Sequence, residues 1–362
     1  MIDMELLGWD AGRQKELDDL GDPRLVQGRI TVQHRGAYDV LSPDGERRCE
    51  VVPRMVRDAA TRADFPAVGD WVALEAQGAS HGAIERLLPR RTRFSRLAAH
   101  DAASDVTEEQ IVAANVDVVF VVTSLNEDFN PRRIERYLTL AWQSGARPVI
   151  LLTKSDLVDD PAAALVAVAD VAIGVPVHVL STLRGSGLDA VTGELGRGVT
   201  AALLGSSGVG KSTLVNALVG DVRMATKGIR ADGKGRHTTT RRELIVLPGD
   251  AGLLIDTPGM RELQLWVADE GLEEAFDDVA SLFPSCRFAD CGHESEPGCA
   301  VKEALASGRL APERWESYLK LQSELDALER RLDKRAASES RQQWRSLSKA
   351  QRAYYKEHGK DR

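Results

Sequence analysis

Apolar residues follow two different patterns along the chain. Between about residues 24 and 97, apolar and polar positions alternate in short runs such as Leu25–Val32 and Asp70–Leu74, with glycine and proline turns between them. Alternation with a period of two predicts strands that bury one face. Five or so such strands predict a small β-barrel, and an OB-fold is the barrel that we expect at this size.

From about residue 105 onward, continuous apolar runs replace the alternating ones. Val116–Val122, Pro148–Leu152 and Val177–Leu180 are such runs, and helical patterns lie between them. Strands that are apolar on both faces and joined by helices predict a mostly parallel sheet that is covered on both sides. Ligands of such sheets bind at the carboxyl ends of the strands.

These patterns predict a multidomain protein of five segments. Residues 1–22 form a polar leader that we expect to be loose, 23–98 an RNA-binding OB-fold barrel, and 99–280 a central P-loop α/β domain. Residues 281–335 combine a cysteine cluster with a helical pattern, which predicts a zinc-binding helical domain, and 336–362 form a basic tail.

Charge is distributed unevenly over the 362 residues. The net charge is −8, yet residues 330–362 contain eleven Lys or Arg and four Asp or Glu, so this stretch carries +7 and the rest of the chain −15. A basic tail on an acidic body suggests a polyanionic partner, and a solvated helix with surplus charge is the alternative. The sequence has no signal-peptide profile and no apolar run of the ~20 residues that span a bilayer, so we expect a cytoplasmic protein. We also expect it to be a monomer.

Arginines are concentrated in the segment from Arg86 to Arg96, which also contains Phe94. Arginines beside an aromatic ring suit phosphate contact and base stacking in a nucleic-acid complex. A basic linker between two domains is the alternative interpretation.

The sequence GSSGVGKS has the spacing of a P-loop and lies between an apolar run and a predicted helix. Glycines let the backbone N–H groups point at phosphates, Lys211 is expected to reach the β and γ phosphates, and the Ser212 hydroxyl to ligate Mg²⁺. The predicted nucleotide-binding residues of this loop are Gly205, Ser206, Ser207, Gly208, Val209, Gly210, Lys211, Ser212 and Thr213.

Two further segments suit recognition of guanine. TKSD at the end of the run Pro148–Leu152 looks like the guanine-recognition motif of GTPases, because a carboxylate can accept hydrogen bonds from guanine N1–H and its amine. Thr153 stands where Asn is commoner, which weakens a contact to guanine N7. The residues concerned are Thr153, Lys154, Ser155 and Asp156, with Ser181, Thr182 and Leu183 as the loop that would meet guanine O6.

The motif DTPG matches DxxG, in which Asp256 holds Mg²⁺ through water and the Gly259 N–H meets the γ-phosphate. The glycine-rich stretch before it has the composition of a switch, and one of Thr238, Thr239 and Thr240 is expected to ligate Mg²⁺; Thr239 is preferred. A turn capped by hydroxyls is the alternative.

Met260 follows this motif where many GTPases carry a water-orienting Gln. Because Met cannot orient water, unassisted hydrolysis should be slow. His237 is the candidate catalytic group, alongside Lys211 and Thr239. A His237 that contacts only a partner or solvent is the alternative.

Three cysteines and a histidine lie close together in the sequence, as Cys286, Cys291, His293 and Cys299. Three thiolates and one imidazole complete a tetrahedral zinc shell with no open position, so a structural zinc site is predicted.

The motif order, with base recognition before the P-loop and DxxG after it, is a circular permutation of the usual GTPase order. With the zinc cluster, these motifs resemble the small-ribosomal-subunit-dependent GTPase family, RsgA. The resemblance implies a GTPase that uses GTP, GDP and Mg²⁺, binds 30S ribosomal RNA, and hydrolyses GTP when the subunit stimulates it during late maturation. A permuted GTPase of the large subunit and an RNA-binding module with a vestigial nucleotide site are the alternatives.

Overall fold

Strands near the N-terminus close into a barrel. The computed structural model describes residues 1–97, 109–220, 242–256 and 270–330. The barrel strands are β1 (Leu25–Gln33), β2 (Tyr38–Ser42), β3 (Gly45–Val51), β4 (Trp71–Gln77) and β5 (His81–Leu87), and helix α2 (Pro53–Asp58) lies between β3 and β4. They pair in the order β1-β2-β3-β5-β4, and β4 pairs back to β1. This closed five-stranded barrel confirms the predicted OB-fold.

Alternate residues of the barrel strands build its core. Ile30, Val40, Val72 and Ile84 are fully buried, and so is Cys49, which serves here as a small apolar residue. The alternation that was visible in the sequence is therefore the alternation between the core and the outside of the barrel.

The leader, which we expected to be loose, is folded against the barrel. A 3₁₀ turn covers Met4–Leu7, and helix α1 covers Ala11–Asp18 with the Asp10 side chain as its N-cap. Trp9 is buried and packs edge-on against Trp71, with the ring centroids 4.9 Å apart. The prediction of a loose leader was wrong because several of its apolar residues are buried in the core, namely Met4, Leu7, Trp9 and Leu17.

The arginine-rich segment also differs from expectation. It contains the last two residues of β5 and continues into β6 (Arg93–Leu97), which pairs with β7 (Glu109–Ala114) in a separate two-stranded sheet. Phe94 is buried and therefore cannot stack on a base, and Arg90 forms an ion pair with the buried Asp70. Most of this segment is structural.

A six-stranded α/β sheet forms the centre of the molecule. Its strands are β8 (Val118–Ser124), β9 (Arg147–Thr153), β10 (Val177–Val179), β11 (Thr200–Leu204), β12 (Glu243–Val246) and β13 (Leu253–Asp256), and its helices are α3 (Pro131–Ser144), α4 (Ala162–Ala169), α5 (Leu188–Gly193) and α6 (Lys211–Val219). The order is β10-β9-β8-β11-β13-β12, and only β12 runs antiparallel to its neighbour. One pair, Val32 with Glu243, joins β12 to the barrel strand β1.

The C-terminal described segment is helical. It contains α7 (Glu270–Ala275), α8 (Asp277–Ala280), α9 (Ala300–Ser307) and a long helix, α10, over residues 312–330. Buried side chains of this segment, including Phe276, Val279 and Leu325, belong to the same core as α3. Within the described ranges, no helix has the length and apolarity that crossing a membrane requires. The basic tail lies outside the described residues.

Candidate functional site

The predicted P-loop connects the end of β11 to the start of α6. Gly205, Gly208 and Gly210 all have positive φ angles, of 152°, 81° and 100°. A Cβ atom at position 205 would lie 2.2 Å from the carbonyl oxygen of Val122, so only glycine fits there. Ser207 and Gly208 are exposed, and the loop is open to solvent at the carboxyl edge of the sheet.

The first residues of α6 complete this loop. Lys211 donates from Nζ to the carbonyl oxygens of Gly205 and Ser206, at 2.6 Å each. Ser212 and Thr213 follow in the first turn of α6, where backbone N–H groups have no partner within the helix. Lysine, serine hydroxyl and helix N-terminus therefore lie together, which is the donor set that phosphates and their magnesium ion require.

Thr153 connects the base-recognition motif to the P-loop. It is the last residue of β9, its side chain is buried, and its Oγ1 lies 2.5 Å from the Val209 carbonyl oxygen and 3.1 Å from that of Thr123. A hydroxyl has one hydrogen, so the shorter contact is the donated bond. The Thr153 side chain thus supports the P-loop backbone.

The loops after β9 and β10 are held against each other. Lys154 adopts a left-handed conformation with φ of 58°, and Ser155 donates its N–H to the Leu180 carbonyl oxygen. The hydroxyl of buried Ser181 donates to the carboxylate of Asp156. This hydrogen bond lowers the pKa of Asp156, which stays an ionised acceptor.

The remaining predicted positions of this site fall in different places. Thr182 is half-buried and Leu183 is exposed in the loop that begins at Ser181. Asp256 is the last residue of β13, the neighbour of β11, and therefore shares the sheet edge with the P-loop. His237, Thr238, Thr239, Thr240, Gly259 and Met260 lie outside the described residues.

The Cys/His cluster is assembled as predicted. The four ligand atoms of Cys286, Cys291, His293 and Cys299 lie within 4.8 Å of one another. His293 Nδ1 lies 3.6 Å from Cys286 Sγ and 3.4 Å from Cys299 Sγ. Ligands at ordinary Zn–N and Zn–S lengths on a tetrahedron lie about 3.5 Å apart, so the donor set fits a zinc ion.

Aromatic packing and local charge both suit metal binding by this cluster. The His293 ring stacks on Phe283 and meets Trp315 edge-on. Burial lowers the pKa of His293, which favours the neutral ligand form. Burial alone would raise the pKa of Cys299, but the backbone N–H groups of α9, which begins at the next residue, lower it below its ordinary value.

Sequence reasoning missed the side chains of α3 that contact the P-loop. Arg133 Nη1 donates to Ser206 Oγ at 2.8 Å, and Tyr137 OH lies 3.5 Å from the same oxygen. Arg133 and Tyr137 are four residues apart, so both lie on one face of a helix, and this spacing can be seen in the sequence. The pattern could not show that this face meets the P-loop.

Comparisons with known proteins agree with this geometry. The RsgA GTPase family model matches residues 87–266, and an ABC transporter model matches residues 188–355, a range that includes the P-loop but not the base-recognition motif. A small ribosomal subunit biogenesis GTPase RsgA from Opitutus terrae is 47% identical over 358 residues and 96% of each chain. A relative of the same name from Syntrophotalea carbinolica is 39% identical over 99% of each chain.

Two solved structures are similar in fold. YjeQ from Thermotoga maritima has 27% sequence identity and a TM-score of 0.63, with 83% of this chain and 98% of that chain covered. YloQ, described as a circularly permuted GTPase, has a TM-score of 0.61 at 24% identity, with 84% and 96% covered. The permuted order of the strands and motifs is thus a property that this fold shares with solved relatives.

Proposed function

Because the chain belongs to the family of small ribosomal subunit biogenesis GTPases, RsgA, and is a GTP-hydrolysing enzyme, we propose that it acts on the 30S ribosomal subunit. It binds the subunit with GTP, hydrolyses GTP to GDP and phosphate when the subunit stimulates it, and leaves as a late maturation factor. The names of its relatives and the basic segments of the chain support this proposal. It would act in the cytoplasm as a monomer.

In this proposal the nucleotide phosphates lie in the P-loop and the base lies beside Asp156. Lys211 contacts the β and γ phosphates, and the N-terminal N–H groups of α6 donate to them. The Asp156 carboxylate accepts from guanine N1–H and the exocyclic amine, and the loop 181–183 meets guanine O6. Adenine has an acceptor at N1 and no amine at C2, so it cannot donate these two bonds, and Asp156 selects guanine.

Hydrolysis in this proposal depends on groups that the partner brings into place. Ser212 and Thr239 would hold Mg²⁺ directly and Asp256 through water, and the ion neutralises phosphate charge when bound. Met260 cannot orient the attacking water, so His237 is assigned to that role. The Gly259 N–H would donate to the γ-phosphate.

Ribosomal RNA is the polyanion proposed for the barrel and the tail. Arg86 of β5 and Arg93 of β6 are exposed. A groove of about 710 Å³ is lined by Arg91, Arg93 and the half-buried Trp142. Residues 330–362, which include the tail, add a charge of +7. Such surfaces bind RNA through its phosphates, and the binding weakens as salt increases.

The observation that carries the proposal is the joining of the base motif to the P-loop. Thr153 bonds to the carbonyl of Val209, and Ser181 bonds to Asp156. Residues from three separate segments therefore lie together at one sheet edge, which supports the proposal of a single nucleotide site. A vestigial site would not need this set of connections.

The test is GTP turnover by the full chain with 30S subunits, with 50S subunits and with neither. We expect 30S alone to stimulate turnover at least about tenfold, since a catalytic group supplied by a partner can raise the rate by as much as about 10³–10⁵-fold. Stimulation by 50S alone would support the large-subunit alternative, and no stimulation by either particle would overturn the proposal. His237→Ala in the same assay should lose the stimulated rate; unchanged turnover would remove His237 from the mechanism.

A further inference from the structure

Helix α3 begins with an N-cap and presents an arginine to the P-loop in its first turn. The Asn130 side chain accepts from the N–H groups of Arg132 and Arg133, and Pro131 occupies the first helical position. These groups fix the start of the helix. The Arg133 side chain then extends between the loop after β8 and the P-loop.

A single nitrogen of Arg133 connects two loops. Nη1 lies 2.8 Å from Asp128 Oδ2 and 2.8 Å from Ser206 Oγ. Because Nη1 carries two hydrogens, both bonds form at once. Asp128 balances the guanidinium charge. The main effect of Arg133 on Ser206 is therefore to fix where its hydroxyl lies, and the change in electrostatic potential is the smaller effect.

The backbone of Ser206 is also held in place, by a hydrogen bond from Lys211. Lys211 Nζ donates to the Ser206 carbonyl oxygen as well as to that of Gly205. A phosphate that engages Lys211 competes with these two carbonyls for the same ammonium group. The Arg133 bond to the Ser206 side chain lies outside this competition.

We propose that Arg133 is a positioning residue for the P-loop, acting through the Ser206 hydroxyl. It keeps the loop in its binding conformation when Lys211 turns from the loop carbonyls to the nucleotide phosphates. Tyr137, one helical turn further along α3, borders Ser206 and limits the movement of its side chain. This role concerns nucleotide binding alone. It can therefore be tested without ribosomal subunits, and its failure would not bear on the proposed 30S partner.

Arg136 on the same helix is a matched control. It forms an ion pair with Glu324 at 2.6 Å, and the two side chains are 34% and 36% exposed, against 33% and 41% for Arg133 and Asp128. Replacing either arginine by alanine removes one half-exposed ion pair from α3. The two variants should therefore lose similar stability, and only Arg133→Ala should alter the nucleotide site.

The experiment measures the dissociation rate and affinity of fluorescent mant-GDP by stopped flow for the full chain. We expect Arg133→Ala to speed dissociation about tenfold, the loss typical of a hydrogen bond to a charged group. Arg136→Ala should stay within twofold of the parent. Arg133→Lys, which can still donate to Ser206, should recover part of the affinity.

A double-mutant cycle with Ser206→Ala decides whether the effect passes through Ser206. If it does, the double variant should bind mant-GDP no more weakly than Arg133→Ala alone. Independent, multiplying effects of the two substitutions would overturn the proposal. So would equal dissociation rates for Arg133→Ala and Arg136→Ala, because these would indicate a general loss of helix stability.

Discussion

Single hydroxyl groups hold the base-recognition residues in place. The Thr153 hydroxyl donates its one hydrogen to the Val209 carbonyl oxygen, and the Ser181 hydroxyl donates its own to the Asp156 carboxylate. The Ser181 N–H donates to the Ser186 carbonyl oxygen, and the Ser186 N–H donates to the Ser181 carbonyl oxygen, which closes the loop. A threonine at position 153, where Asn is commoner, therefore acts through the backbone of the P-loop.

Removing the Ser181 hydroxyl should change how guanine affinity depends on pH. The hydrogen bond lowers the pKa of Asp156 below its ordinary value, so the parent keeps its carboxylate charge to lower pH. In Ser181→Ala the pKa rises toward that ordinary value, and affinity for mant-GDP should begin to fall at a higher pH than in the parent. Titrations from pH 7 downward measure this shift, with the exposed Thr192→Ala, which removes a hydroxyl outside this loop, as control and circular dichroism as the check on folding. If the affinity of Ser181→Ala and of the parent falls over the same pH range, the role given to the Ser181 hydroxyl would be contradicted.

The cluster segment between residues 286 and 299 has little regular structure of its own. A 3₁₀ turn at Phe283–Ser285 precedes it and α9 follows it. Backbone bonds such as Arg287 N–H to the Gly298 carbonyl are few, and the Glu296 carboxylate caps a turn through the Gly292 and Glu294 N–H groups. A segment of this kind needs metal–ligand bonds to hold its shape.

Metal removal should therefore unfold this segment and leave the nucleotide site intact. We expect about one zinc ion per chain by elemental analysis in the presence of a reductant. Chelation should change tryptophan fluorescence, because Trp315 packs against the His293 ring, and Trp315→Phe should abolish that part of the change. Affinity for mant-GDP should change less than threefold. Protein that contains no zinc as purified would refute the site.

Asn115 connects three parts of the whole molecule. Its Oδ1 accepts from Arg13 of the leader at 2.7 Å and from the Arg91 N–H at 3.0 Å, and its Nδ2 donates to the Gly69 carbonyl. Its own carbonyl accepts from the buried Arg29, and its φ is 53°. Leader, barrel and central sheet are thus joined through one side chain.

Asn115→Ala should destabilise the protein by about 2–3 kcal/mol, because it removes a partner of buried Arg13 and places alanine at a positive φ. Asn115→Gly relieves the backbone strain but still lacks the amide, so it should recover only part of the loss. Urea unfolding followed by tryptophan fluorescence measures the difference, with the exposed Asn126→Ala as control. A parent-like Asn115→Gly would show that the amide contributes nothing.

Short stretches of sequence were enough to predict individual elements such as a helix or the P-loop. The bounds of α3 follow from Pro131 and the glycine at its end, and the P-loop follows from its spacing. The contacts that pack these elements together were not predictable, since Arg133 meets Ser206 across 73 positions and Arg314 meets Glu135 across 179. The packing of Trp9 was missed because the leader is short and mostly polar, and its apolar residues have no clear period.

Glu135 and Arg314 also constrain how this chain can change over evolutionary time. Glu135 is fully buried on α3, and its Oε1 accepts from Arg314 of α10 at 2.8 Å, while Arg314 also bonds to Asp278. Loss of Arg314 would leave the buried Glu135 with Arg132 as its remaining counter-ion, and loss of Glu135 would leave Arg314 with Asp278. The expected cost is therefore below the about 3–5 kcal/mol of a buried charge that loses its counter-ion completely. The two positions should therefore be inherited as a unit. A hybrid that joins this central domain to a C-terminal domain without an arginine at 314 would begin with that defect.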